Sequence, residues 1–174
     1  MTNILIFGAS GRMGQEIAEV LGEQKKMQLT YQVDKKKTEN FCTLASVAAK
    51  KVDVVIDFSH ADAVEDIIAF CVKEKVPLVS GTTGISKEIK AKLQKAAEKI
   101  PVLWSPNMSL GVAVLNKAIE SLAALEEFDF QIEEVHHTKK KDAPSGTALL
   151  LQETLEQTVT RKPEAPISIR GGGV

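Results

Sequence analysis

Hydrophobic positions along this chain fall into two periods, and the order of those periods predicts most of the architecture. Residues Ile4 to Phe7 form a short continuous apolar run, the pattern of a strand buried on both faces of a parallel sheet. A glycine turn follows at once, and then Ile17, Ala18 and Leu21 recur at helical spacing within QEIAEVL. The alternation repeats down the chain. Strands are predicted over Leu29 to Val33, Val52 to Ser59, Pro77 to Ser80 and Val102 to Trp104, with helices over roughly 62 to 74, 86 to 99 and 112 to 125. In the 62 to 74 helix, Ala63, Ile67, Phe70 and Cys71 share a face, so Cys71 reads as a small core residue. Five strands alternating with four helical patterns predict an α/β fold, a Rossmann-type doubly wound parallel sheet. Right-handed crossovers then bring the strand ends to one edge.

After about residue 127 the pattern changes. Phe128, Phe130 and Ile132 alternate as in a half-buried strand, FDFQIEEVHH, which His136 and His137 close while pointing to opposite faces. A lysine loop, a helix to about Val159, a connection with Pro163 and Pro166, and a short strand from Ile167 to Arg170 follow. This is a smaller α+β domain with an open mixed sheet. The boundary falls between 105 and 128 and is drawn as a dinucleotide-binding domain, 1–108, and a substrate-binding and oligomerisation domain, 109–174. Two strands and one helix are few for a stable domain, and exposed sheet edges invite pairing with another chain. Either the protein oligomerises through this sheet, or the sequence, ending at Gly171, Gly172, Gly173 and Val174, is a truncated product.

Composition narrows the partners. A formal net charge of -1 over 174 residues excludes bulk attraction to nucleic acid or acidic membranes, so any anion site is local. Cys42 and Cys71 with 3 histidines show no CxxC or HExxH spacing, which predicts no metal site. Two thiols without a secretory signal predict a reducing, cytoplasmic setting. No apolar run approaches the roughly 18 residues of a membrane span.

Candidate chemistry gathers on the predicted strand ends, where such sheets bind ligands. GASGRMG supplies Gly8 for a sharp turn, Gly11 for backbone approach to a pyrophosphate and Gly14 for close helix packing, with Ala9, Ser10, Arg12 and Met13 between them. Its spacing departs from GxGxxG because Ser10 stands at the third position. Asp34 lies 20 residues beyond Gly14, placed to accept from ribose hydroxyls, which favours NADH. Lys35, Lys36 and Lys37, with Arg12, are equally suited to a 2′-phosphate, so NADH and NADPH both stay open. DFSH, then Gly81, Thr82 and Thr83 of GTTG, and Ser105, Pro106, Asn107 and Met108 of SPNM follow later strands. Their threonines and Pro-Asn pair suit a carboxamide and ribose; any one of them is also ordinary turn chemistry.

The densest chemistry lies between Glu133 and Ala148. His136 and His137, Lys139 to Lys141, and Ser145, Gly146 and Thr147 opening a helix form an anion receptor beside a proton source. Each piece has a plainer reading: a lysine triplet is common in solvated loops, serine commonly caps helices, and paired histidines are often structural.

With GASGRMG, VDVVIDFS, GTTG, SPNMSLGV and EVHHTKKKDAPSGTA in this order, the chain resembles the 4-hydroxy-tetrahydrodipicolinate (dihydrodipicolinate) reductases, from residue 3 to about 170. The resemblance implies a homotetrameric enzyme that reduces a cyclic imine with NADH or NADPH in lysine and diaminopimelate synthesis. It implies cofactor contacts at Gly8 to Gly14, Asp34, Lys35, Gly81, Thr82, Thr83 and Ser105 to Met108. His136 and Lys140 match the family's proton-transfer pair, and His137, Ser145, Gly146 and Thr147 its substrate contacts. Two departures stand out: the family continues past the RxG of the last segment with a GxH motif and further strands, and the stretch from Asp34 to Val52 is short. The alternative from another class is a non-catalytic NAD(P)-binding module whose second domain is an assembly or sensing surface.

Overall fold

The apolar run from Ile4 to Phe7 needs cover on both sides, and that is where the first strand places it. In a computed structural model that describes residues 1–171, β1 (Thr2–Phe7) lies between β2 (Met27–Val33) and β3 (Val54–Asp57) in a five-stranded sheet completed by β4 (Leu78–Ser80) and β5 (Val102–Trp104), ordered β2-β1-β3-β4-β5. All pairings are parallel. Leu5 and Phe7 face one cluster with Val33, Val55, Val64, Ile67, Cys71, Leu78 and Leu93, while Ile4 and Ile6 face the other with Ala9 and Leu21. The first cluster carries α2 (Val64–Glu74) and α3 (Lys87–Ala97); the second carries α1 (Arg12–Gly22). The sheet is therefore doubly wound, and strand order reverses between β1 and β3, where such folds open a ligand crevice.

Local chemistry sets the helix limits. α1 begins three residues earlier than QEIAEVL suggests because Gly11 itself is the N-cap. Ser86 caps α3, its hydroxyl accepting from Ile89 N. The short stretch after Asp34 holds two 3-10 turns, Leu44–Ser46 and Ala49–Lys51, in place of a helix. The α2 face is broader than periodicity indicated, since Val64 and Ile68 are buried alongside Ala63, Ile67 and Cys71. Burial pushes the Cys71 thiol up to about 12, with the Asp57 charge adding to it, so this sulfur is inert.

The chain divides into two compact units, 1–106 and 107–174. In the second, α4 (Leu110–Ile119) continues as a 3-10 turn over Glu120–Ala124. β6 (Glu133–His136) then pairs in parallel with β7 (Ile167–Arg170) through the intervening α5 (Gly146–Thr158). The long strand expected from Phe128 shortens to β6, and His137 lies beyond its end. The reason is on the opposite side: Pro163 and Pro166 have no N–H to extend the ladder. Only Glu164 N to Phe130 O (3.2 Å) and Ile167 N to Ile132 O (2.9 Å) continue it. Gly172, Gly173 and Val174, included in the expectation about the chain's end, lie outside the described residues.

Candidate active site

The first unit offers a cleft of about 410 Å³ lined by Gly8, Ser10, Gly11, Asp34, Lys35, Phe58 and His60, among others. It opens at the ends of β1, β2 and β3, the reversal point of the sheet. Gly8 has φ +81°, and a Cβ there would lie 2.4 Å from Phe58 O. A Cβ on Gly14 would lie 2.3 Å from Gly8 O and 2.7 Å from Ala9 Cα, so the start of α1 rests directly on the turn. Because Gly11 caps α1 without a side-chain acceptor, the first-turn N–H groups keep their partial positive charge for an anion. Arg12 and Met13 are exposed on that turn.

Asp34 closes one side of the cleft. Its Oδ2 accepts from Ser10 N (3.1 Å) and the Ser10 hydroxyl, and its Oδ1 from Lys35 N (2.7 Å). Burial alone would raise its carboxyl, but these donors hold it below the ordinary carboxylate range. A carboxylate has about four lone-pair sites and three are taken, so one site on Oδ1 remains for a hydroxyl. The Lys35 ammonium pairs with Asp62 at 2.7 Å, both side chains well exposed. Such a surface pair holds weakly, and the lysine is readily given up to a phosphate.

Behind the rim lies a polar network that the sequence reading did not single out. Asp57 is fully buried at the end of β3. It accepts from Ser59 N (3.1 Å) and the Ser59 hydroxyl through Oδ1, and from Ser80 Oγ (2.7 Å) and Thr82 Oγ1 (2.9 Å) through Oδ2. Thr82 also accepts from Ser59 N (2.9 Å), and its carbonyl accepts from Trp104 Nε1 (3.0 Å). Thr82, expected beside the nucleotide, is therefore committed to Asp57; Gly81, packed on the Phe58 ring, and the exposed Thr83 present the backbone there. Removing the carboxylate leaves buried hydroxyls unpaired at roughly 1–3 kcal/mol each. Asp57→Ala is thus expected to lower the thermal midpoint clearly, by about 5 °C or more. A midpoint like that of the parent would show the network to be dispensable.

SPNM is split between the units. Ser105 N donates to Ser80 O (3.1 Å), and the exposed Pro106 closes the first unit. Asn107 starts the second, where its Nδ2 donates to Thr147 Oγ1 (2.9 Å) and its Oδ1 accepts from Ser109 N (2.8 Å); Met108 is exposed. A residue expected with the nucleotide is thereby joined to one expected with the substrate.

The second unit gathers its chemistry around the β6 end and the start of α5. The Lys140 ammonium meets both Asp142 oxygens at 2.9 Å, and Lys140 N closes a turn onto His137 O (3.2 Å). Lys140 bonding and the Gly146 N–H both hold Asp142 below the usual carboxylate range. The ammonium of this loop is thus already paired with an internal carboxylate. Ser145 is a buried N-cap, its hydroxyl accepting from Ala148 N (3.1 Å) while its N–H donates to Glu134 Oε1 (3.1 Å). Gly146 is exposed and Thr147 half-buried, so these two present the helix start. His136 is half-buried, and His137, just past the end of β6, is exposed.

Glu134 is a functional candidate that sequence reasoning missed. Its side chain is 8% exposed; Oε1 accepts from Arg170 Nη2 (2.8 Å), and Oε2 lies 2.7 Å from His136 Nδ1. Burial works to raise its pKa, but Arg170 and Ser145 outweigh that and bring it to about 2, from an ordinary 4.5. A depressed carboxylate stabilises the fold fully above its unfolded pKa, and that contribution is lost as pH falls through the folded value. Acid titration by circular dichroism should therefore show stability declining between about pH 4.5 and 2. In Glu134→Gln this component should be missing, and an unchanged acid limb would assign it to other carboxylates.

Comparison with known proteins agrees with this division. The family model for the N-terminus of dihydrodipicolinate reductase matches residues 2–108, and that for its C-terminus residues 111–174. A 4-hydroxy-tetrahydrodipicolinate reductase from Bdellovibrio bacteriovorus is 49% identical over 169 residues, 97% of this chain and 72% of that protein. One from Caldanaerobacter subterraneus is 38% identical over 168 residues, 94% of this chain and 67% of its own length. Among solved structures, a dipicolinate-bound dihydrodipicolinate reductase from Paenisporosarcina shares the fold with TM-score 0.80 at 24% identity, over 100% of this chain and 80% of that one. With both units matched in order and relatives this similar along nearly the whole sequence, the chain belongs to the dihydrodipicolinate reductase family.

Proposed function

We propose that this protein uses NADH or NADPH to reduce 4-hydroxy-tetrahydrodipicolinate to tetrahydrodipicolinate, a step of lysine and diaminopimelate biosynthesis. The observation that carries the reading is the β6 to α5 loop, where an imidazole, an ammonium and an exposed helix start lie together. The substrate is a dicarboxylate, and its charge must be offset before a hydride will add. Lys140 and the Gly146 and Thr147 N–H groups would bind one carboxylate, with His137 beside them. Asp142 yields its place to that carboxylate. Ser145 acts through the cap that fixes the helix start.

The residues of the first unit suit a dinucleotide. The Gly8 to Gly14 turn leaves no room for a Cβ at Gly8 or Gly14 and would hold the pyrophosphate. Asp34 and Lys35 would take the adenosine ribose or its phosphate, and Gly81, Thr83 and Ser105 to Met108 the nicotinamide side. His60, which lines the same cleft, joins this set. When bound, the reduced nicotinamide supplies a hydride to the conjugated imine. Once the ring hydroxyl has left as water, a proton must reach the neighbouring carbon. His136 has Nδ1 toward Glu134, which leaves Nε2 to hold and deliver that proton. Holding the ring in place accounts for much of the rate gain.

Assigning 1–108 to the nucleotide and 109–174 to substrate and self-association follows from this reading. Val135, Ile167 and Ile169 expose one apolar face of the second sheet, which suits a homo-oligomer, a tetramer by family resemblance. A cytoplasmic setting rests on the two free cysteines. No helix among the described residues is long and apolar enough to cross a membrane. The direct test is loss of reduced-nicotinamide absorbance with freshly generated substrate, alongside calorimetric NADH binding. Substrate-dependent oxidation supports the reading; binding without oxidation would favour a non-catalytic NAD(P)-binding module.

A further inference from the structure

We propose that Glu134 is the positioning residue of the proton-transfer histidine: its buried carboxylate reserves one oxygen for His136 Nδ1 and uses the other to fasten that strand end to Arg170 and the start of α5. The inference rests on the assignment of His136 given above and adds a residue to it.

Strand geometry makes the pairing unavoidable. Residues two apart on a strand share a face, so Glu134 and His136 lie side by side on β6. Across the ladder, Ser168 is opposite Glu134 and Arg170 opposite His136. This face is polar, whereas the other carries Val135, Ile167 and Ile169. A carboxylate set among an imidazole, a guanidinium and a serine N–H has one acceptor end for each side. Arg170 Nη2 and Ser145 N both take Oε1, at 2.8 and 3.1 Å.

Oε2 has a different situation. It lies 2.7 Å from His136 Nδ1, and both atoms are buried with no aligned hydrogen-bond partner among the described residues. The Ser168 hydroxyl, opposite Glu134 on β7, is a second buried polar group beside this carboxylate, and leaving any of these atoms unpaired in a buried site is costly. If the carboxylate served only as a counter-ion to Arg170, the second oxygen would have no reason to sit against the imidazole.

The consequence for chemistry follows from the two ring nitrogens. A carboxylate at Nδ1 keeps a proton there in the neutral ring, so Nε2 is the atom that gains and loses a proton during turnover. It also stabilises the imidazolium that must exist before the proton is delivered. The same side chain holds Ser145, so the proton donor and the proposed carboxylate-binding helix start share one anchor. Glu134 touches no reacting atom in this scheme and acts entirely through His136 and Ser145.

The test combines kinetics with a direct view of the ring. Turnover and KM are measured for the parent, Glu134→Gln, His136→Ala and the double variant, with thermal midpoints recorded to confirm folding. Nitrogen-15 NMR reads the protonation of each His136 nitrogen, assigned by its loss in His136→Ala. We expect Glu134→Gln to lower kcat about 10- to 100-fold with NADH affinity unchanged. In the His136→Ala background the same substitution should lower kcat by at least about threefold less than in the parent, because the part routed through His136 is already gone while the Ser145 anchor is still lost. The parent spectrum should show the neutral proton on Nδ1, and Glu134→Gln should shift the balance toward Nε2. Equal losses in both backgrounds, or an unchanged kcat, would overturn the proposal. So would a parent ring whose neutral proton sits on Nε2, a result that requires no variant to fold. A parent that binds NADH but turns nothing over would refute the proposed function instead, while the spectra still decide the pairing.

Discussion

Alanine at His136 lowers kcat by about 10²- to 10⁴-fold, the range expected when a positioned acid or base is removed, while NADH binds as before. That corresponds to roughly 3–5 kcal/mol of barrier. The separation of effects follows from the architecture, since His136 lies in the second unit, 107–174, whereas the nucleotide cleft is lined by residues of the first. Lys140→Ala has a different signature. In the proposed function its ammonium offsets substrate charge, so KM is expected to rise and kcat to fall together. Steady-state kinetics with calorimetric NADH titration checks both. Near-parental turnover in either variant would remove that residue from its role.

Gly14→Ala is expected to abolish nucleotide binding and to destabilise the first unit, although alanine favours helices elsewhere. The added Cβ would meet Gly8 O at 2.3 Å and Ala9 Cα at 2.7 Å, both backbone, so α1 has to move off the sheet. Overpacking of this kind costs about 1–3 kcal/mol and displaces the N–H groups that would receive the pyrophosphate. Gly22→Ala is the matching control: no atom lies within 4 Å of its Cβ, and it should be neutral or stabilising by up to about 1 kcal/mol. Calorimetric NADH binding and thermal melts on the two variants read the contrast. Normal NADH affinity in Gly14→Ala would show that α1 does not need its close approach to the turn.

Much of the first unit was legible because its signals are local. An apolar run, a glycine turn and a helical period each report on a few adjacent residues, and together they give β1, α1 and a doubly wound parallel sheet. What stayed hidden depends on contacts between residues far apart in the chain. Asp57 looks like an ordinary polar end to VDVVID until Ser80 and Thr82 arrive from the next strand to bond it. The DFSH motif was the available signal for Phe58, Ser59 and His60, and it pointed to the right rim without naming residues. Thr82 read as a ligand contact because nothing in GTTG shows where its hydroxyl is spent.

In the second unit the histidines, lysines and SGT turn announced themselves by their density. Glu134 did not, because an acid in a half-buried strand is usually a solvated one. Its value comes from Arg170, 36 residues later. The overlong strand from Phe128 is the opposite kind of miss: alternation was real, but Pro163 and Pro166 deny it a ladder. Ser145 was read both as a cap and as an anion contact, and its burial and bonding fit the cap.

A crystal structure with NADH and pyridine-2,6-dicarboxylate bound together tests the central claim most directly. The account predicts the nucleotide along the ends of β1 to β4, with its pyrophosphate on the Gly8 to Gly14 turn. The dicarboxylate should be bonded to Lys140, Gly146 and Thr147 and within reach of His136 Nε2. A dicarboxylate bound away from that loop, or a nucleotide held anywhere but this rim, would contradict it.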